Sequence, residues 1–208
     1  MTASPSTSTP SASGSATCPR STSPSPNYGR GTAYYHSGAY DLAIADYDQV
    51  IRLMPDYAPA YGSRGELHFY RGHFAAAARD LAAAVDHDPS NPYRSLWRYL
   101  AEARAGQEAR ATLEGHAAAL DLGAWPGAVV SLYLGRAEPD RLLALAGDPD
   151  PVKRREKACE AYFYLGQYFL LKGRRDEAAK MFRRALDTGV TAFIEYAGAK
   201  AELERLGG

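Results

Sequence analysis

The chain has 208 residues, with 24 basic and 24 acidic side chains that give a formal net charge of zero. That balance excludes a strong non-specific hold on nucleic acid or an anionic membrane, and two cysteines, Cys18 and Cys159, are too few for a disulfide framework. No apolar run approaches the roughly 18 residues of a spanning helix, and a chain rich in Ala, Leu and Tyr with few β-branched residues points to an all-α fold.

Nineteen of the first 26 residues are Ser, Thr or Pro, and Arg20 is the one charged side chain among them. Such a stretch buries too little apolar surface to offset its ordering entropy, which predicts a disordered tail over 1–26. It has neither a basic n-region nor an apolar h-region, so it does not read as a secretory signal. Ser15-Ala16-Thr17-Cys18 has the order of a lipoprotein cleavage box, but without an h-region the segment reads as a flexible tether.

Residues 27–208 read as a single helical-repeat domain. Arg30-Gly31-x-x-Tyr34 aligns with Arg64-Gly65-x-x-His68 at an offset of 34 residues. The same offset carries Gly38 to Gly72, Tyr40 to Phe74, Ala43 to Ala77, Tyr47 to Leu81 and Pro55 to Pro89. A further copy runs through Tyr162, Leu165-Gly166, Phe169, Gly173, Ala178, Phe182 and Ala185. This period and pattern resemble the tetratricopeptide repeat. Each unit would be two antiparallel helices, with small residues (Gly31, Ala43, Gly65, Ala77, Gly166, Ala178) allowing close approach. Gly38, Gly72 and Gly173 would end the first helix, and Pro55 and Pro89 would stop the second.

The repeats fall at about 24–57, 58–91, a degenerate 92–120 and 159–190. In the degenerate unit Gly106, Ala111 and Ala118 keep the register, but Tyr99 replaces the usual glycine. Short helices are predicted from Trp125-Pro126-Gly127 to about Leu134 and from Pro139 to about Ala146. A long helix follows over Val152 to Leu171, and a cap over 191–206 has Phe193 and Ile194 as its anchors. The expected architecture is a tetratricopeptide-type helical-hairpin superhelix with an irregular middle and a C-terminal capping helix.

Four segments resemble the bacterial lipoprotein NlpI family of tetratricopeptide proteins. They are Asn91-Pro92-Tyr93-Arg94-Ser95-Leu96-Trp97-Arg98-Tyr99-Leu100-Ala101-Glu102, Leu132-Tyr133-Leu134-Gly135, Phe163-Tyr164-Leu165-Gly166-Gln167-Tyr168 and Phe193-Ile194-Glu195-Tyr196. The resemblance implies an envelope adaptor that recruits proteases or peptidoglycan hydrolases, commonly as a homodimer. The alternative is a cytoplasmic scaffold or assembly factor of the same fold.

Residues that would carry chemistry are sparse. His68 and His73 are five apart, which is not the i, i+4 spacing of two ligands on one helix face, and Cys159 has no histidine at a telling distance. There is no nucleophile elbow, phosphate-binding loop or dinucleotide fingerprint. The expectation is a non-catalytic protein with no cofactor and no metal.

Function then falls to the concave surface lined by the first helix of each repeat. Between its packing positions that surface offers Tyr28, Thr32, Tyr35 and His36, then Glu66, Phe69 and Tyr70, then Tyr93 and Arg104. Aromatic rings with polar tips suit a groove that takes another protein or a peptide. Tyr34 reads as a packing residue, whereas Tyr35 and Tyr70 fit either role. Charge is uneven along the chain. Residues 28–91 hold five Arg against eight acids, a net of −3, and residues 151–190 hold ten basic against five acidic groups, a net of +5.

Overall fold

The computed structural model describes residues 26–118 and 120–207. The tail expected over 1–26 lies, Pro26 apart, outside the described residues. Eleven helices, and no strand, are found among the described residues. The first hairpin is α1 (Pro26–His36) with α2 (Tyr40–Leu53), and the second is α3 (Ala58–Tyr70) with α4 (Phe74–His87). Then come α5 (Pro92–Arg104), a two-turn α6 (Arg110–Ala117), α7 (Gly127–Tyr133) and α8 (Pro139–Leu145). The long α9 (Pro151–Leu171) pairs with α10 (Arg175–Asp187), and α11 (Ile194–Leu206) closes the chain.

Local chemistry explains where these helices begin and end. The Asn91 side chain caps α5 by accepting from the Tyr93 and Arg94 amides, and Asp150 caps α9 by accepting from Val152. Proline fills the first turn of α5, α8 and α9, where its missing N–H costs nothing. At the end of α3 the Gly72 φ is +77°, and its amide together with that of His73 turns back onto the carbonyls of Phe69 and His68. Gly38 and Gly173 close α1 and α9 in the same left-handed conformation, as their spacing predicted.

The three well-formed hairpins share one packing device. A Cβ on Gly31 would lie 2.9 Å from the Tyr47 ring, one on Gly65 would lie 2.8 Å from Leu81, and one on Gly166 would lie 2.3 Å from the Phe182 ring. Each glycine thus lets a large residue of the second helix rest on the backbone of the first. The same 34-residue period carries a polar partner to this contact. Arg30 grips Asp46 through Nε at 2.7 Å and Nη2 at 2.6 Å, and Arg64 grips Asp80 at the same two distances. Arg64 also reaches back to Asp48 of the preceding hairpin at 2.5 Å, tying the two units together. Arg98, one period further on, turns to Glu102 at 2.7 Å.

The irregular middle departs from the register expected of it. Ala111 and Ala118 face solvent, whereas Ala109, Leu113 and Ala117 are buried. Tyr99 is the cause on the first-helix side. With a ring where the other units have glycine, α6 cannot settle on α5 in the usual way, and Tyr99 packs 5.0 Å from Tyr133 of α7 instead. The Tyr133 hydroxyl in turn donates to the Tyr164 carbonyl at 2.8 Å, joining α7 to α9.

The C-terminal helix is more than a cap over the last hairpin. It lies against the first helices of several units at once. The Tyr70 hydroxyl of α3 donates to the Ile194 carbonyl at 2.7 Å, and Arg205 returns a bond to the Tyr70 carbonyl at 2.6 Å. A Cβ on Gly198 would meet the Phe163 ring at 2.7 Å and Trp97 at 3.4 Å. The buried stripe of α11 is Glu195, Gly198, Ala199, Glu202 and Leu203, while the expected anchors Phe193 and Ile194 are only partly buried.

Candidate functional site

First helices line the concave side of stacked hairpins, and α11 fills much of that side here. The candidates expected from the sequence therefore divide into covered and open groups. Phe69 is a core residue rather than a groove residue: it is fully buried, edge-on to Trp97 at 5.2 Å and to Phe74 at 5.1 Å. Helical geometry accounts for this, because Phe69 stands four residues after Gly65 and so follows the stripe that faces α4. Tyr70 is also buried, under α11. Its hydroxyl accepts from that of Tyr35 at 3.1 Å while donating to Ile194, so both tyrosines serve the docking of α11. Burial pushes the Tyr35 and Tyr70 pKa values well above the ordinary phenol range.

Arg104 is likewise engaged. Its guanidinium meets Glu202 at 2.5 Å and Gln167 at 2.9 Å, with the Phe74 ring 4.3 Å beneath it. Gln167 donates to Glu202 at 2.9 Å and Arg205 approaches the same carboxylate at 3.0 Å. Burial opposes the charge of Glu202, but Arg205 and Arg104 together outweigh it and hold its pKa below the usual carboxylate range. His36 is exposed beside Tyr35, and the Thr32 hydroxyl donates to the Tyr28 carbonyl at 2.9 Å.

Tyr28, Glu66 and Tyr93 meet at an open cleft of about 210 Å3 between α1, α3 and α5. Trp97 forms part of its wall, and Ile194 of α11 borders it. Tyr28 packs edge-on to Tyr57 at 5.3 Å and its hydroxyl lies 3.3 Å from that of Ser63. A second cleft, of about 260 Å3, runs between Tyr35, His36 and Tyr40 on one side and Phe193, Ala197 and Lys200 on the other.

Two further carboxylates, Glu195 and Glu160, which sequence reasoning does not single out, lie near the first cleft. Glu195 is buried and accepts from the Tyr164 hydroxyl at 3.1 Å, and Glu160 accepts from the Trp125 indole at 2.9 Å. Burial pushes the Glu66 pKa up to about 8, helped by Glu195 and opposed by Arg94. Burial, with Glu160 nearby, raises Glu195 to about 7, and burial raises Glu160 as well. One signal is present in the sequence: Glu195, Gly198, Ala199 and Glu202 fall at i, i+3, i+4 and i+7, the spacing of a buried stripe. Two carboxylates in that stripe mask it when helices are read by hydrophobicity.

These raised values predict the direction of a pH effect. Each acid binds its proton more tightly folded than unfolded, so its contribution is complete below the unfolded value near 4.5 and is lost as pH rises through 7 to 8. A tenfold change in proton affinity corresponds to about 1.4 kcal/mol, and about 1 kcal/mol moves the midpoint of a domain this size by roughly 2–4 °C. Thermal melts should therefore drop by several degrees between pH 5.5 and 8.5, and Glu195→Gln should flatten the profile. An equal slope in that variant would show that Glu195 does not titrate in this window.

Cys159 is buried and unpaired, and burial pushes its thiol up to about 11, the behaviour of a packing residue. Among the described residues no three His, Cys, Asp or Glu side chains are placed to hold a metal ion, and no helix is long and apolar enough to cross a membrane.

Comparison with known families matches residues 31–72 to a TPR repeat model and residues 152–192 to a tetratricopeptide repeat model. These segments hold the hairpins in which Gly31 meets Tyr47 and Gly166 meets Phe182. The fold is a tetratricopeptide-type helical repeat. Similar solved structures include a crystal structure of MamA protein, 22% identical, with a TM-score of 0.44 over 78% of this chain and 89% of that one. A second crystal structure of MamA is 22% identical, with a TM-score of 0.41 over 76% of this chain and 94% of that one.

Proposed function

We propose that this chain is a non-catalytic adaptor that holds another protein on the part of its concave face that α11 leaves open. Tetratricopeptide repeats are protein-interaction scaffolds, and the observation that carries the location is the cleft formed by Tyr28, Glu66 and Tyr93. Its aromatic side chains are partly buried, which keeps them ordered while leaving ring surface for a partner. Tyr70 and Arg104 contribute by docking α11, which sets the edge of the cleft.

The envelope form of this reading, recruitment of proteases or peptidoglycan hydrolases, rests on the NlpI resemblance. The resembling segments lie on α5, α7, α9 and α11, and their side chains pack on one another: Trp97 stacks on Phe163 at 5.2 Å, and Tyr164 links Tyr133 to Glu195. That packing joins the resembling segments in one core of this chain and does not choose the partner. The homodimer implied by the same resemblance is checked by sedimentation velocity.

The test is affinity capture followed by mass spectrometry, with Tyr28→Ala/Tyr93→Ala beside wild type. Loss of two central aromatics should weaken retention of the specific partner at least about tenfold, or roughly 1.4 kcal/mol. Envelope hydrolases among the captured proteins support the recruiting role, and cytosolic clients support the scaffold alternative. Undiminished capture by a folded double variant would remove the cleft as the binding site.

A further inference from the structure

The cleft between α1, α3 and α5 has an unusual electrostatic character. The half-buried Glu66 carboxylate lines it and has no hydrogen-bond or ion-pair partner among the described residues. A half-buried carboxylate without a donor is costlier to ionise than a solvated one and gains when a cation arrives. The one cation lining the cleft, Arg94, is already paired with Asp88. Glu195 of α11, buried next to the cleft-lining Ile194, and Glu160 of α9 add to the negative potential when ionised. The partly buried rings of Tyr28 and Tyr93 complete the walls, and the negative face of an aromatic ring attracts a cation.

Taking the adaptor reading as its basis, we propose that this cleft is a subsite for a cationic side chain, a lysine or arginine, of the partner polypeptide. The ammonium or guanidinium would pair with Glu66 while its alkyl stem lies along Tyr28 and Tyr93. A volume of about 210 Å3 is suited to one such side chain and not to a folded element. Selectivity follows from the same geometry. An acidic side chain would meet the like charge of Glu66, and a neutral one would leave the Glu66 carboxylate unpaired.

Binding of a cation requires ionised Glu66, so affinity should rise with pH. Protonated Glu66 has no charge to offer, and its proton is released as the guest enters. Burial sets this titration first, and the charges that act on it are Glu195 from α11, which raises it, and Arg94 from α5, which lowers it.

The probe is a capped five-residue peptide, Gly-Ser-Lys-Ser-Gly, with counterparts carrying Arg, Nε-acetyl-lysine or Glu at the centre. Binding to the full chain is followed by nuclear magnetic resonance at the Gly62 amide and the Trp97 indole. The Lys and Arg peptides should give saturable shifts at pH 8.5, with affinity at least about tenfold weaker at pH 5.5. The acetylated and Glu peptides should bind at least tenfold more weakly than the Lys peptide at pH 8.5. Glu66→Gln should abolish the preference, and because it removes a poorly solvated charge it should melt no lower than wild type, so a loss of binding is not a loss of fold. The proposal is overturned by equal binding of the Lys and acetyl-lysine peptides, by an unchanged preference in Glu66→Gln, or by no saturable shift up to 10 mM peptide. The two readings fail separately. If capture of a protein partner is lost in Tyr28→Ala/Tyr93→Ala and unaffected in Glu66→Gln, the adaptor site stands and the cationic subsite falls.

Discussion

Trp97→Ala should be among the most destabilising single substitutions in this protein, at about 3–5 kcal/mol, the range for truncating a large buried aromatic. Trp97 is 1% exposed and belongs to α5, but its neighbours come from three other helices. It stacks on Phe163 of α9 at 5.2 Å, meets Phe69 and Tyr70 of α3 edge-on at 5.2 and 6.0 Å, and lies beneath Gly198 of α11. Its removal opens a cavity where the N-terminal hairpins, the C-terminal hairpin and the closing helix meet, and rigid helices can refill it only in part. Urea unfolding followed by circular dichroism measures the effect without relying on the lost fluorophore. Trp97→Phe should recover part of the loss. A cost below about 1 kcal/mol for Trp97→Ala would mean that the helices collapse around the gap and that Trp97 is not their shared support.

Glu202→Ala should cost a similar amount for a different reason. Glu202 is 1% exposed and accepts from Arg104, Arg205 and Gln167. Removing the carboxylate leaves two guanidinium groups and an amide facing each other in a mostly buried space, and breaking such a pair from one side typically costs about 3–5 kcal/mol. At roughly 2–4 °C per kcal/mol the melting midpoint should fall by roughly 6–20 °C. Glu202→Gln, which retains an acceptor, should lie between. The sign of the pH dependence is opposite to that of Glu66 and Glu195. The Glu202 pKa is held below its ordinary value, so its contribution is present above about pH 4.5 and lost as pH falls further. The gap between wild type and Glu202→Ala should narrow in acid, and a constant gap would show that the charge of Glu202 is not what fastens α11.

The sequence by itself determined the hairpins, because their causes are local and periodic. Gly31, Gly65 and Gly166 recur at the position where a large side chain of the second helix must touch backbone, and the terminating glycines and prolines mark each helix end. The Arg30–Asp46 and Arg64–Asp80 pairs were also within reach, since the 34-residue offset that aligns the glycines aligns both members of each pair. Tertiary structure alone decided where α11 goes. Nothing local to residues 194–206 says that the helix lies across α3, α5 and α9, because the reasons lie far away in the chain: the Tyr70 hydroxyl, the Trp97 and Phe163 rings and the Arg104 guanidinium. That placement turned Tyr70 and Arg104 from groove residues into docking residues and left Tyr28, Glu66 and Tyr93 at the open edge. It also created the buried carboxylates. A glutamate on a helix is ordinarily solvated, and only the approach of α11 takes Glu195 out of water and brings it near Glu66 and Glu160, where burial raises its pKa.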